Sequence, residues 1–290
     1  MPLKTKRILL GLIGAGIQRS LTPAMHEREG DAHGLRCLYQ VIDLERLGLG
    51  LGVDALPRLL DAAEAMGFAG LNITYPAKQA VIPLLHELSE DAREIQAVNT
   101  VVFRDGRRYG HNTDCWGFAE GFRRALPGAA LNRVVQLGAG GAGAATAHAA
   151  LAMGAGVLEI FDVDPARAAA LAASLCRRFG VGRAAAPGDL GAAMAAADGL
   201  IHATPTGMAK HPGLPLPAAM LRPSHWVSEI VYFPLHTALL DTAAQIGCRI
   251  ATGGGMAVFQ AVKAFELFTG IVPDAERIQQ HFAALQAAGR

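Results

Sequence analysis

A run of glycines, one lysine and a scatter of small polar residues are the parts of this sequence whose types and spacing could do chemistry. Gly138-Ala139-Gly140-Gly141-Ala142-Gly143 directly follows the apolar run Arg133-Val-Val-Gln-Leu137 and opens an Ala-rich helical stretch. That is GxGxxG in the context that gives it meaning, a strand, a tight turn and a helix. Gly138 permits the turn, Gly140 lets backbone N–H groups approach a pyrophosphate, and Gly143 allows close contact between helix and strand, so a dinucleotide site is expected. The next apolar run ends in Asp162-Val163-Asp164, where an acid should accept from the adenosine ribose hydroxyls, and Asp162 takes that role. Two carboxylates there repel a 2′-phosphate, and no arginine directly follows the strand, although Arg167 lies one helical turn on. NAD is therefore favoured over NADP. Asp164, ahead of Pro165, suits a helix N-cap.

Hydride transfer to such a cofactor requires a group that exchanges the alcohol proton near the nicotinamide. Only five of the 26 basic residues are lysines, and Lys78 alone stands at a strand end, after Asn72-Ile-Thr74-Tyr-Pro76. A lysine in an arginine-rich chain suits a group that must lose its proton, while a solvated lysine at a helix start is the ordinary alternative. Asn99-Thr100 and His111-Asn112-Thr113-Asp114 put polar side chains at two junctions, and Ser20 and Thr22 flank Leu21 just after the first strand. Singly, each has a bland role: Thr22 and Asp114 as helix N-caps, Asn99 as a turn brace. Gly14-Ala15-Gly16 also follows a strand but lacks a third glycine at the required spacing, and reads as a substrate-loop turn.

The elements that must hold these residues alternate between short apolar runs and helical patterns, which makes the class α/β. Strands are predicted near 7–13, 36–42, 69–73 and 98–103, with helices near 22–33, 54–67 and 77–87. The turn Arg104-Asp105-Gly106-Arg107 reverses the chain into a short strand ending near Tyr109, giving a mixed, mainly parallel sheet with one hairpin. A helix near 115–126 leads to strands near 133–137, 157–162, 183–186, 199–202, 226–231 and 248–251, a complete doubly wound unit. Two helices close the chain, about 256–269 and 274–287, with Pro273 between them.

Composition narrows the partners. With 26 basic and 25 acidic residues the net charge is +1 and no basic block occurs, so no nucleic-acid partner is expected. The longest uncharged stretch, 134–158, is broken by six glycines and by Gln136, Thr146 and His148, unlike a membrane span. The N-terminal apolar run ends in glycines without a cleavage site and reads as a buried strand. Four cysteines (37, 115, 176, 248) without CxxC spacing suit reduced thiols in a cytoplasmic protein. There is no HExxH pair, His26 and His33 read as helix surface, and no metal is expected. No motif speaks to oligomeric state, and a homodimer is compatible with the composition.

Taken together, these residues resemble the shikimate/quinate dehydrogenase family over essentially the whole chain. The segments that carry the resemblance are Ser20-Leu-Thr22-Pro23, Gly70-Leu-Asn72-Ile-Thr74-Tyr-Pro76-Ala-Lys78, Ala97-Val-Asn99-Thr100, His111-Asn112-Thr113-Asp114, Gly138 to Gly143, Ala203-Thr204-Pro-Thr-Gly207-Met208, Val231-Tyr232 and Met256 to Gln260. The resemblance implies a catalytic substrate domain of residues 1–113 completed by helices in 256–290, a Rossmann domain of residues 114–255, and a cleft between them. It implies Lys78 and Asp114 as the catalytic pair, the lysine exchanging the hydroxyl proton and the aspartate orienting lysine and substrate. A nearby carboxylate favours charged lysine, whereas desolvation favours the neutral form. Ser20 and Thr22 are implied to bind the carboxylate of a cyclic hydroxy acid, with Asn72, Thr74, Asn99, Tyr232 and Gln260 on ring hydroxyls or carboxylate. Thr204, Gly255 and Met256 are implied along the nicotinamide side.

Three departures stand out against the family pattern. Thr22 replaces a typical serine and, with Asp162-Val163-Asp164, looks like the NAD-using quinate/shikimate branch and its aminoshikimate relatives. Thr252-Gly-Gly-Gly255 lacks the usual acid before its first glycine. His202 stands where asparagine is usual, and a buried structural role is expected for it. The expected activity is NAD-dependent interconversion of shikimate and 3-dehydroshikimate, extending to quinate and 3-dehydroquinate. An enzyme for aminoshikimate or quinate only is the nearer alternative, and a non-catalytic sensor of a cyclic hydroxy acid the more distant one. Methylene-tetrahydrofolate dehydrogenase, of similar build, is discarded because its tyrosine-to-lysine helix motif is missing.

Overall fold

The apolar run that opens the chain becomes strand β1 (Lys6–Gly14), flanked on both sides by parallel partners. The structure is a computed structural model that describes residues 6–46 and 52–288. After β1 come α1 (Thr22–Ala32), β2 (Leu35–Asp43), α2 (Leu56–Ala65), β3 (Gly70–Ile73), α3 (Ala77–Ala80), β4 (Glu87–Leu88), α4 (Glu90–Ile95), β5 (Thr100–Arg104) and β6 (Arg107–His111). They form a six-stranded sheet in the order β2-β1-β3-β5-β6-β4. β5 runs antiparallel to both β3 and β6, and the other pairings are parallel. The β5–β6 hairpin turns through Asp105 and Gly106, both at positive φ (51° and 68°), as a two-residue turn between twisted strands requires.

Both faces of this sheet are covered, which explains the near-continuous apolar character of β1. On one face Ile13, Leu71, Ile73 and Val101 meet Leu56, Leu60 and Ala63 of α2; on the other Leu10, Leu12, Tyr39 and Val102 join a separate cluster.

The helix expected over 77–87 is not continuous. It ends after one turn, and a 3-10 turn over Ile82–Leu84 then leads into β4. Pro83 has no N–H to continue an α-helical ladder and disfavours the α conformation of the residue before it. The unexpected α4 follows at once, capped by the Ser89 hydroxyl, which accepts from the Ala92 N–H.

The second half runs through α5 (Thr113–Ala125), β7 (Arg133–Leu137), α6 (Gly141–Ala152), β8 (Val157–Phe161), α7 (Pro165–Phe179), β9 (Ala184–Ala185), α8 (Leu190–Ala196), β10 (Gly199–His202), β11 (Trp226–Glu229), α9 (Ala238–Ile246) and β12 (Arg249–Ala251). Its six strands are all parallel, in the order β12-β11-β10-β7-β8-β9. The winding reverses at β7, so the crevice beyond the carboxyl ends of β7 and β10 is where such sheets hold ligands.

Two helices close the chain, α10 (Gly253–Thr269) and α11 (Ala275–Ala287). α10 starts three residues before the expected Met256, taking Gly253-Gly254-Gly255 into its first turn. Two of those glycines serve approach rather than termination: a Cβ at Gly253 would overlap the carbonyls of Ile230 and Val231, and one at Gly255 would press on Gly121 of α5. The chain divides into two compact units, one ending at Thr113 and resuming at Val258, the other Asp114–Ala257.

α11 is tied to α1 within the first unit. Arg277 donates from Nε and Nη2 to the buried Glu29 carboxylate at 2.8 and 2.6 Å, and the Asp274 N–H donates to the same group at 2.8 Å. His26 departs from expectation, because it lies in the core rather than on the helix surface. It is 1% exposed, packed on the rings of Tyr39, Phe265 and Phe268, with Nδ1 3.0 Å from the Thr22 carbonyl. Burial pulls its pKa down to about 4, with only the Thr22 hydrogen bond opposing. His33 instead reaches the Glu29 carboxylate at 2.9 Å. Among the described residues no helix is long and apolar enough to cross a membrane, no group of three or more His, Cys, Asp or Glu is arranged to hold a metal ion, and no disulfide joins the cysteines.

Candidate active site

The glycine turn is braced from beneath. Gln136, fully buried in β7, donates from Nε2 to the carbonyls of Gly138 and Gly143 at 2.9 and 2.8 Å and accepts the Thr146 hydroxyl at 3.0 Å. Gly138 has φ 101°, and its Cβ would overlap the Ala203 carbonyl; a Cβ on Gly143 would overlap the Gly138 carbonyl. Both positions therefore require glycine. At Gly140, by contrast, a Cβ would meet nothing within 4 Å. Gly140 also leaves α6 without a side-chain cap, so the first-turn N–H groups of Gly141, Ala142 and Gly143 form an anion-binding helix start. This open, uncapped turn fits a dinucleotide pyrophosphate.

Asp162 lies just past β8 with its side chain 7% exposed. One carboxylate oxygen accepts from the Ala139 N–H at 2.7 Å and the other from the Asp164 N–H at 3.0 Å. Each oxygen keeps a lone pair for a ribose hydroxyl. Arg167, half-exposed, approaches to 4.0 Å, and Asp164 caps α7 by accepting from Ala166 and Arg167.

In the first unit, strand register collects the polar residues at one end of the sheet. Asn72 pairs with Thr100 and Thr100 with His111, while Leu12 lies opposite Asn72, so the turn after β1 ends there too. Ser20 Oγ accepts from the Thr22 N–H at 3.3 Å, which leaves its hydroxyl hydrogen to donate outward. Leu21, rather than Thr22, occupies the cap position of α1, and Thr22 is buried in the first turn.

The loop carrying Ser20 is held by Asp43, whose carboxylate accepts from the Gly16 N–H at 3.0 Å, Glu45 N–H at 3.1 Å and Gln18 Nε2 at 3.1 Å. Burial raises the Asp43 pKa, but the hydrogen bonds from Gln18 and from the Gly16, Glu45 and Ile17 amides outweigh it and hold the carboxyl below its ordinary range.

Asn72 and Asn99 are engaged internally. The Tyr39 hydroxyl donates to Asn72 Oδ1 at 2.6 Å, and Asn72 Nδ2 donates to Thr100 Oγ1 at 3.1 Å. Asn99 Oδ1 accepts from the Thr113 N–H at 2.7 Å, and Asn99 Nδ2 donates to Thr113 Oγ1 at 2.9 Å. Asn99 thereby closes the start of α5, so the bland capping role open to Asp114 is taken, and Asp114 sits buried in the first turn of that helix. Lys78 is half-buried in α3, its carbonyl accepting from the Val98 N–H at 2.9 Å, one residue before Asn99. Thr74 is half-buried at the end of β3, its methyl against Gly14, and Gln260 is half-buried on α10. Thr204, Tyr232, Gly255 and Met256 are half-buried and belong, with Asp114 and the glycine turn, to the second unit.

Sequence reasoning missed Tyr39, Asp43 and Gln136 as bracing groups. Gln136, a lone amide inside an apolar strand, carried a readable signal.

The substrate-binding domain of shikimate dehydrogenase matches residues 12–101. The chain is 58% identical to the shikimate dehydrogenase (NADP(+)) of Streptomyces avermitilis, over 96% of this chain and 95% of the relative. The chain belongs to the shikimate/quinate dehydrogenase family. It is also 50% identical to the quinate/shikimate dehydrogenase (NAD(+)) of Corynebacterium efficiens, over 96% of this chain and 98% of that one. The quinate dehydrogenase of Corynebacterium glutamicum in complex with NAD superposes with a TM-score of 0.90 at 46% identity, covering 96% of this chain and 99% of that one. The cofactor is a nicotinamide dinucleotide, and the named relatives include both NADP(+) and NAD(+) enzymes.

Proposed function

We propose that the protein is an NAD-dependent oxidoreductase that interconverts shikimate and 3-dehydroshikimate by hydride transfer at ring C3, and that it also accepts quinate. The substrate class is supported by membership of a family whose named relatives act on shikimate and quinate. The choice of NAD rests on one observation: the Asp162 carboxylate is fixed at the rim of the glycine turn by the Ala139 N–H. A 2′-phosphate beside it would meet like charge, whereas a ribose diol meets acceptors.

In this reading the Ser20 and Thr22 hydroxyls donate to the substrate carboxylate, charge-assisted bonds worth about 1.5–3 kcal/mol each. Asn72, Thr74, Asn99, Tyr232 and Gln260 orient the ring. Lys78 takes the proton of the C3 hydroxyl as its C–H hydride leaves, and Asp114 orients lysine and hydroxyl. A nicotinamide dinucleotide would supply the hydride acceptor, with Gly138 to Gly143 holding its pyrophosphate and Thr204, Gly255 and Met256 on the nicotinamide side. A second reading, NADP, is favoured by Arg167 at 4.0 Å from Asp162, a cation able to meet a 2′-phosphate.

Initial rates of shikimate and quinate oxidation, each with NAD and with NADP, test both readings. Shikimate turnover with NAD at least tenfold more efficient than with NADP supports the first; the reverse ratio moves the cofactor to NADP. No turnover of either acid by protein that binds NAD overturns the substrate reading. Lys78→Met should lower kcat by about a hundredfold or more with KM little changed.

A further inference from the structure

Two titratable side chains stand completely buried at the carboxyl ends of β10 and β11, and the reaction outlined above uses neither. His202 and Glu229 lie opposite each other in the sheet, both side chains at 0% exposure. His202 Nδ1 is 2.8 and 2.9 Å from the two Glu229 oxygens. The same carboxylate accepts from the Val231 N–H at 3.0 Å and from the Thr237 hydroxyl at 3.0 Å, while Thr237 Oγ1 accepts from the Leu240 N–H at the start of α9. Facing only acceptors, Nδ1 carries a proton. The opposite ring nitrogen, Nε2, lies 2.5 Å from Thr204 Oγ1, which also accepts from the Thr206 N–H at 3.2 Å.

With the ring protonated on Nδ1 alone, every donor among these linked groups finds an acceptor. Glu229 fixes the tautomer, the ring turns a lone pair toward Thr204, and the Thr204 hydroxyl spends its only hydrogen inward. What remains on Thr204 Oγ1 is a lone pair. Thr204 stands beside the glycine turn, its methyl 3.1 Å from where a Gly138 Cβ would be.

We infer that His202 and Glu229 are positioning residues that lock Thr204 as a hydrogen-bond acceptor toward a donor on the nicotinamide nucleoside half of the cofactor. This rests on the nicotinamide lying against Thr204, as in the reading above. The donor is an N–H of the carboxamide or an O–H of the adjoining ribose. It assigns His202 a function beyond filling the core.

Histidine-ring 15N NMR of the unmodified protein at neutral pH reads the tautomer directly, with the His202 signals assigned by their loss in His202→Asn. An unprotonated Nε2 is expected; a protonated Nε2 would reverse the Thr204 hydrogen bond and overturn the inference. Binding of NAD, its 3-acetylpyridine analogue, ADP-ribose and ADP to Thr204→Val provides the second test. NAD affinity should fall about tenfold, be restored in Thr204→Ser, and ADP affinity should be unchanged. A loss confined to NAD identifies the carboxamide, absent from the other three ligands; a loss shared with ADP-ribose and the analogue identifies the ribose. Unchanged NAD affinity, or an equal loss with ADP, overturns the inference. Failure of the unmodified protein to bind any nicotinamide dinucleotide would fault the cofactor reading instead.

Discussion

Asn99 Oδ1 accepts the first N–H of α5, that of Thr113, at 2.7 Å, so one amide both closes a helix and borders the proposed substrate site. The two roles separate by substitution. Asn99→Ala should destabilise the protein by about 1–2 kcal/mol, as loss of a helix cap does, and impair turnover. Asn99→Asp keeps the acceptor for Thr113 but loses the Nδ2 donor. It should retain most of the stability in urea melts while KM for shikimate rises severalfold. Equal stability loss in both variants would show that the Thr113 bond is not what Asn99 contributes.

Asp43 reaches the substrate only through the loop it holds. Asp43→Asn should raise KM for the acid substrate more than it lowers kcat, because the loop carrying Ser20 loses a charged anchor. The folded pKa is depressed, so the stabilisation from Asp43 is present above its unfolded value and fades as pH falls through the folded one. Steady-state kinetics and acid-side melts of the two proteins check both statements.

His26 titrates in the opposite sense to a partnered histidine. Its pKa falls from 6.5 to about 4 on folding, so between those values the unfolded chain binds more protons. Stability should decline by about 3 kcal/mol as pH drops across that window. Urea midpoints measured from pH 7 to pH 4 should show this slope, and His26→Leu should flatten it. An unchanged slope in the variant would assign the acid sensitivity to other groups.

Glu29 gathers Arg277, the Asp274 amide and His33 on one buried carboxylate. Burial alone would raise its pKa, but those partners outweigh that and lower it. Arg277→Ala leaves the buried carboxylate to the Asp274 amide and His33 alone and should cost about 1–3 kcal/mol, more than the loss of an exposed ion pair. Proteolysis should then cut near α11 first. Uniform cleavage along the chain would indicate that α11 is held by its apolar face alone.

Much of this was legible beforehand for identifiable reasons. Strands such as β7 and β8 are apolar runs closed by glycine or aspartate, and the glycine turn carries its geometry in its spacing. Three features misled. Pro83 sits inside an otherwise helical pattern, the glycines of α10 look like a helix stop, and His26 is a polar residue on a polar-looking helix. The braces were hidden because their partners are remote in sequence: Asp43 acts on residue 16, Tyr39 on residue 72, His202 on residue 229. Spacing rules describe a turn and its flanks, whereas these bonds depend on the strand order that folding creates.

The tie between Glu29 and Arg277 also bears on how the molecule is made. The two residues are 248 apart, and the unit that contains both is interrupted by the whole of Asp114–Ala257. A ribosome making the chain at roughly 5–20 residues per second makes the inner unit's last strand before it makes α11. Until α10 is made, the face of the sheet that Ala264 and Phe268 cover in the folded protein stays open. A slow-codon stretch or a stall downstream of residue 257 would prolong that exposure, and yield in the cell would fall with no change in the finished enzyme.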